Sequence, residues 1–149
     1  EETGQGVAIA TNLREMSKLN VPIVAIITGE GCSGGALGLA VADRVMMLEH
    51  AYYTVISPEG CASILWRDAA RFADAAEALK ITSKDLLEFD IIDEEIAEPI
   101  GGAHTDYNVV ADNMKSAIMN ALDELSKKTP EVLKEERYNK FRKMGRFVE

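Results

Sequence analysis

The sequence predicts an α/β fold. Helix-like and strand-like periodicities alternate along the 149 residues, with no long block of either kind. Two short apolar runs, residues 21–27 and 44–49, each read as a buried strand. Turns rich in Gly, Pro and hydroxyl residues fall between these segments rather than inside them.

Taken in order, residues 6–19 carry apolar side chains at Val7, Ala10, Leu13 and Met16, the spacing of a helix face. Asn20 and Pro22 end that helix and open a strand over 23–28. A glycine loop follows, and Ser33 is expected to cap a helix over 34–43. Strands are expected at 44–49 and 52–56. Ser57, Pro58 and Glu59 then restart a helix, as N-cap, first helical residue and first-turn acid. One Ala-rich helix is expected over 68–80, and a short one capped by Thr82 or Ser83 ends near Phe89. Residues 91–97 read as an exposed or edge strand because of their acids. After a turn at 99–102, a long helix over 106–127 places Val110, Met114, Ile118, Leu122 and Leu125 on one stripe. Thr129, Pro130 and Glu131 start a last helix that is polar and basic.

The apolar share of 47% with 28% charged residues is that of an ordinary globular chain. No apolar run approaches the roughly 18 residues that span a bilayer, so no membrane is expected. Cys32 and Cys61 match no metal or disulfide framework, and free thiols fit a reducing cytoplasm. The net charge of −9 argues against a nucleic-acid surface. That charge is uneven: residues 1–126 hold 8 Lys/Arg against 21 Asp/Glu, whereas residues 127–149 hold 8 against 4. The basic tail reads either as a solvated helix face or as a docking surface for an acidic partner or phosphorylated ligand. The first residues read as the inside of a domain, so the natural chain is expected to begin upstream.

The loop from Thr28 to Leu37 carries the chemistry. Glycines there let a backbone approach a bound group, and the N–H groups of the following helix start face any negative charge in the loop. Three readings share it. Gly29, Gly31 and Gly34 form a literal G-x-G-x-x-G with Glu49 downstream, a dinucleotide pattern. Gly31, Ser33 and Gly35 form a literal G-x-S-x-G, with Asp90 or Asp93 and then His104 completing a hydrolase order. The Gly34 and Gly35 amides form an oxyanion hole in the third. Close helix–strand packing without a ligand is the plain alternative. The second turn, Ser57 to Gly60, plays no part in nucleotide binding and suggests one site lined by two strand ends. Glu59 there is either a base or a capping carboxylate.

Three blocks then become recognisable: Gly29 to Leu37, Tyr53 to Trp66 (YTVISPEGCASILW), and Glu98 to His104 (EPIGGAH). With the opening from Glu2 to Met16 and the Glu136-Arg137-Tyr138 segment, they resemble the α subunits of bacterial acetyl-CoA carboxylase carboxyltransferases. The resemblance covers nearly the whole chain. It implies a crotonase-like fold of repeated ββα units ending in long C-terminal helices. It implies a single carboxyltransferase domain over 1–149, lacking its N-terminal portion, with a helical extension over about 105–149. The implied activity moves a carboxyl group from carboxybiotin to acetyl-CoA, forming malonyl-CoA, the committed step of fatty-acid synthesis.

The resemblance further implies biotin held covalently on a separate biotin carboxyl carrier protein, a biotin carboxylase, and a β subunit in an α2β2 assembly. Zinc is expected on that β subunit and no metal on this chain. The oxyanion glycines fall on Gly34 and Gly35, and substrate contacts on Gly31, Cys32, Ser33, Ser57, Pro58, Glu59 and Gly60. Cys32 stands where many relatives have Gly. Two alternatives stay open: an enoyl-CoA hydratase or isomerase-type enzyme using Glu59, although Leu37 replaces that branch's second Glu, or a non-catalytic biotin-docking half of a shared site.

Overall fold

The computed structural model describes residues 3–145; Glu2 of the opening block and Arg146 of the basic tail lie outside them. In chain order the elements are α1 (Gln5–Met16), β1 (Val24–Ile27), β2 (Glu30–Cys32), α2 (Ser33–Leu39), β3 (Arg44–Leu48), β4 (Tyr52–Thr54), α3 (Pro58–Trp66), α4 (Phe72–Leu79), α5 (Ser83–Glu88), β5 (Glu94–Ile96), α6 (Tyr107–Leu125) and α7 (Pro130–Lys143). Short 3-10 turns occupy Ala69–Arg71 and Ala103–Thr105.

The strands form two parallel sheets. One has the order β1-β3-β5, and the other pairs β2 with β4. Each ββα unit therefore contributes its first strand to one sheet and its second to the other: β1-β2-α2, then β3-β4-α3. Ile26 lies beside Met46, Met47 beside Glu95, and Cys32 beside Thr54. β3 is central, so its residues are covered on both faces. Val45, Met46, Met47 and Leu48 are buried, which explains an unbroken apolar run rather than an alternating one.

Four expectations need correction. The glycine loop contains a strand, β2, because parallel pairing with Tyr52–Thr54 satisfies its backbone. The second helix runs over Ser33–Leu39 rather than 34–43. The helix expected over 68–80 is split: the Asp68 carboxylate accepts from the Ala70 N–H at 3.0 Å and starts a 3-10 turn before α4. The buried stripe of α6 is Val110, Ala117, Ala121 and Leu125, while Leu122 is exposed. Alanines let this helix lie close against the core, so its orientation follows small residues rather than the largest ones.

The last helix differs most from a solvated basic face. Leu133 and Arg137 on α7 are buried. The Arg137 guanidinium donates through Nε and Nη2 to both Asp43 carboxylate oxygens, each at 2.9 Å. Its remaining N–H groups go to the carbonyls of Met16 (3.0 Å), Leu19 (3.1 Å) and Val21 (3.0 Å). All five donors are thereby used. Asp43 Oδ2 also accepts from the Ile23 N–H at 2.7 Å. Elsewhere along the helix pair, Lys128 bridges Glu124 (3.0 Å) and Glu136 (2.8 Å), and Arg44 meets Glu124 at 2.5 Å. The acidic body is itself the partner of several basic side chains in the tail.

Candidate functional site

Parallel pairing of β2 with β4 brings two strand ends to one edge, and each feeds a helix start. At the first turn the helix N-cap is Cys32, which makes no side-chain capping bond. Ser33, expected as the cap, is instead the first helical residue and sits at φ 59°. This left-handed backbone lets the chain reverse sharply from strand into helix, and it costs a non-glycine residue about 1–2 kcal/mol. The N–H groups of the first turn of α2 thus have no side-chain cap.

The loop glycines separate into two roles. A Cβ on Gly31 would lie 3.1 Å from Ile27, 3.2 Å from the Tyr53 ring and 3.4 Å from the Tyr52 carbonyl, so this glycine lets β2 sit against its neighbours. A Cβ on Gly34 would make ordinary contact with Ile9 at 3.6 Å, and one on Gly35 would meet nothing within 4 Å. Space is open at the uncapped amides and closed below them.

A cavity of about 380 Å³ lies beside this helix start, lined by Ser33 and Gly34 and walled by Leu37, Val45, Tyr53, Val55, Leu79, Leu86, Ile91, Phe141 and Met144, with Thr54 and Gly145 at its margin. Its walls are almost wholly apolar. Burial pushes the Tyr53 phenol above its ordinary pKa, so it stays a neutral O–H near pH 7. Cys32 is a half-buried free thiol next to the turn.

Ser57, Pro58, Glu59 and Gly60 form the second turn as expected. Ser57 Oγ accepts from the Gly60 N–H at 3.1 Å, and Pro58 opens α3. Glu59 is exposed on the first turn of α3. A Cβ on Gly60 would meet Ile56 at 3.0 Å, so this glycine is held by packing. Thr54 and Val55, just before this turn, line the cavity, whereas Ser57, Pro58, Glu59 and Gly60 do not.

The competing constellations are not assembled. His104 lines a different cavity, with Thr28, His50 and Glu98 at the C-terminal ends of β1, β3 and β5. Asp93 Oδ2 accepts from the Val45 N–H at 2.6 Å and pairs with Lys140. Asp90 occupies the turn after α5 at φ 58°. The turn at Ser33 has the sharp geometry of a nucleophile elbow, but its would-be base faces elsewhere. Glu49 accepts from the Glu98 N–H at 3.3 Å, tying the ends of β3 and β5 together. Among the described residues, no group of three or more His, Cys, Asp or Glu side chains is placed to hold a metal ion. No described helix is long and apolar enough to cross a membrane.

Sequence reasoning missed Tyr53, Phe141 and Met144 as cavity walls. Phe141 and Met144 lie about a hundred residues downstream of the loop, and only their helical spacing from Arg137 hints that they share its inward face.

The family model of the acetyl co-enzyme A carboxylase carboxyltransferase-like proteins matches residues 1–145. The acetyl-coenzyme A carboxylase carboxyl transferase α subunit of Geobacter metallireducens is 59% identical over all 149 residues, which cover 47% of that protein. The α subunit of Protochlamydia amoebophila is 56% identical over the same span, again 47% of its length. The chain thus spans about half the length of the curated relatives it matches. Among solved structures, a Pseudomonas malonate decarboxylase hetero-tetramer in complex with malonate superimposes with a TM-score of 0.67 at 14% identity, over 84% of this chain and 49% of that one. The transcarboxylase 12S hexamer with methylmalonyl-coenzyme A bound gives 0.65 at 19% identity, over 80% of this chain and 23% of that one. These two likenesses show the fold, which is crotonase-like. By the match across residues 1–145, the chain belongs to the acetyl co-enzyme A carboxylase carboxyltransferase-like family.

Proposed function

We propose that this chain is part of the α subunit of an acetyl-CoA carboxylase carboxyltransferase. It acts in the cytoplasm with a zinc-bearing β subunit in an α2β2 assembly, a biotin carboxyl carrier protein and a biotin carboxylase. Its described elements form one carboxyltransferase domain with a helical extension from about residue 105. The reaction moves a carboxyl group from carboxybiotin to acetyl-CoA and yields malonyl-CoA for fatty-acid synthesis. The observation that carries this reading is the turn from β2 into α2: uncapped amides at Gly34 and Gly35, with Gly34 lining an apolar cavity.

In such a transfer the donor N–C bond breaks, a C–C bond forms at the acetyl methyl carbon, and the methyl proton passes to the ureido nitrogen. Biotin supplies the carboxyl group and that nitrogen. The chain's own part is electrostatic. The Gly34 and Gly35 N–H groups donate to an oxygen that gains negative charge, and removing one such donor typically costs about 3 kcal/mol. Leu37, Val45 and Phe141 give the cavity beside Gly34 apolar walls, and a hydrogen bond is stronger where such walls lower the local dielectric. An amide pair between apolar walls suits both a thioester carbonyl and a ureido ring with an aliphatic tail. Hydration is less well served: Leu37 puts an apolar side chain in the cavity, and Glu59 stands alone on an exposed turn.

The test is the reverse reaction. The natural full-length chain, assembled with its β partner, is expected to release acetyl-CoA from malonyl-CoA only when biocytin is present. Hydration of crotonyl-CoA by the same assembly, without biocytin-dependent release, overturns the reading.

A further inference from the structure

We infer that Arg137 is a positioning residue for the cavity beside Gly34, fixing α7 so that Phe141 and Met144 close one side of it. Arg137, Lys140 and Phe141 follow one another at i, i+3 and i+4, so they share one face of α7, and Met144 is the extended residue that ends it. That face is turned toward the body of the molecule. Its first residue is anchored by the five hydrogen bonds to Asp43 and to the carbonyls around the end of α1. Its second, Lys140, pairs with Asp93 despite a burial that pushes its ammonium pKa down. Phe141 and Met144 then line the same cavity as Gly34.

The two anchors bear on different parts of the wall. Asp43 ends the segment that joins α2 to β3, and its carboxylate also holds the Ile23 N–H just before β1. Asp93 takes the N–H of Val45, itself a cavity-lining residue. One helix face therefore ties together the segment that follows α2, the central strand and the part of the cavity wall that Phe141 and Met144 form. The inward face is disguised in the sequence because two of its members are cationic. An arginine with all donors satisfied supplies a rigid planar fork, whereas a lysine supplies three donors around one point. Substituting lysine should keep the charge and loosen the helix.

The kinetic arm of the test rests on the carboxyl-transfer reading; hydrogen exchange does not. In the full-length chain assembled with its β partner, Arg137→Lys is expected to speed amide exchange in residues 33–37 and 141–145. It should raise KM for malonyl-CoA or biocytin by roughly tenfold while kcat falls less than about threefold. Phe141→Ala, which leaves the anchors intact, should raise the same KM. The double variant should fall well short of the product of the two single effects, since Arg137 acts through the wall that Phe141 and Met144 share. Lys140→Met, which spares the buried pair, should give a smaller shift of the same kind if Arg137→Lys fails to assemble. A lower Tm with unchanged exchange at 33–37 and unchanged KM overturns the inference, as do effects that multiply in the double variant. An assembly that exchanges as expected but transfers no carboxyl group contradicts the reading of function and leaves the positioning role standing.

Discussion

The two strand-to-helix turns start from the same plan and end differently. Both follow the second strand of a ββα unit, and the strands that feed them are paired in register, Cys32 beside Thr54. The turn into α3 satisfies itself: Ser57 accepts from the Gly60 N–H, Pro58 has no N–H to satisfy, and Gly60 is packed against Ile56. The turn into α2 makes no side-chain cap, bends through Ser33 at φ 59° and leaves open space at Gly35. A fold that can cap a helix so completely at one turn leaves the other uncapped beside its apolar cavity. The difference separates a turn that stabilises the chain from one that is free to stabilise a ligand.

That contrast can be broken or sharpened by substitution. The largest effect is expected at Gly35→Val in the assembled full-length enzyme. A Cβ there has nothing within 4 Å outside the helix's own backbone, so Tm should change little, while carboxyl transfer should fall by about a hundredfold or more as the amide site is blocked. Loss of folding instead would show that the open space is not a ligand site. Next comes Gly31→Ala, whose Cβ presses on Ile27 and Tyr53; melting curves should show about 1–3 kcal/mol of destabilisation, against almost none for Gly35→Ala. Ser57→Ala should cost about 1 kcal/mol through loss of the cap and leave KM unchanged. Ser33→Gly should have the smallest effect, a stabilisation of up to about 1 kcal/mol as the left-handed backbone relaxes. Destabilisation by Ser33→Gly would mean that the hydroxyl contributes more than the backbone costs.

Much of the architecture was legible because local chemistry and tertiary role agree. Ser57-Pro58 and Thr129-Pro130 announce helix starts through the cap and the first-turn proline, and both caps form, with Thr129 accepting from the Val132 N–H at 3.4 Å. The continuous apolar run of β3 likewise announces a strand covered on both faces. Legibility failed where tertiary partners decide. β2 is three residues long and has no strand-like composition; only pairing with β4 makes it a strand. Ser33 has the composition of a cap, but the sharp reversal at the turn puts it inside the helix. Arg137 reads as solvated because nothing near it in sequence reveals Asp43, which lies 94 residues earlier. Of the candidate site, the Gly34 and Gly35 positions were visible as a glycine-rich helix start, whereas the cavity walls contributed by α7 were not.

Breaking the Asp43–Arg137 pair bears on both the fold and the site. Removing one partner strands a buried charge, which typically costs about 3–5 kcal/mol, so Asp43→Ala should lower stability far more than any turn substitution spared by packing. Chemical denaturation of the assembled protein measures it.

The most direct test of the central claim is biocytin-dependent release of acetyl-CoA from malonyl-CoA by the full-length Gly35→Val enzyme, with Tm and β-subunit assembly measured on the same sample. Normal melting and assembly are expected, with release reduced at least about a hundredfold. Full release from a correctly assembled Gly35→Val enzyme would contradict it, and would leave this chain as a docking half whose partner supplies the chemistry.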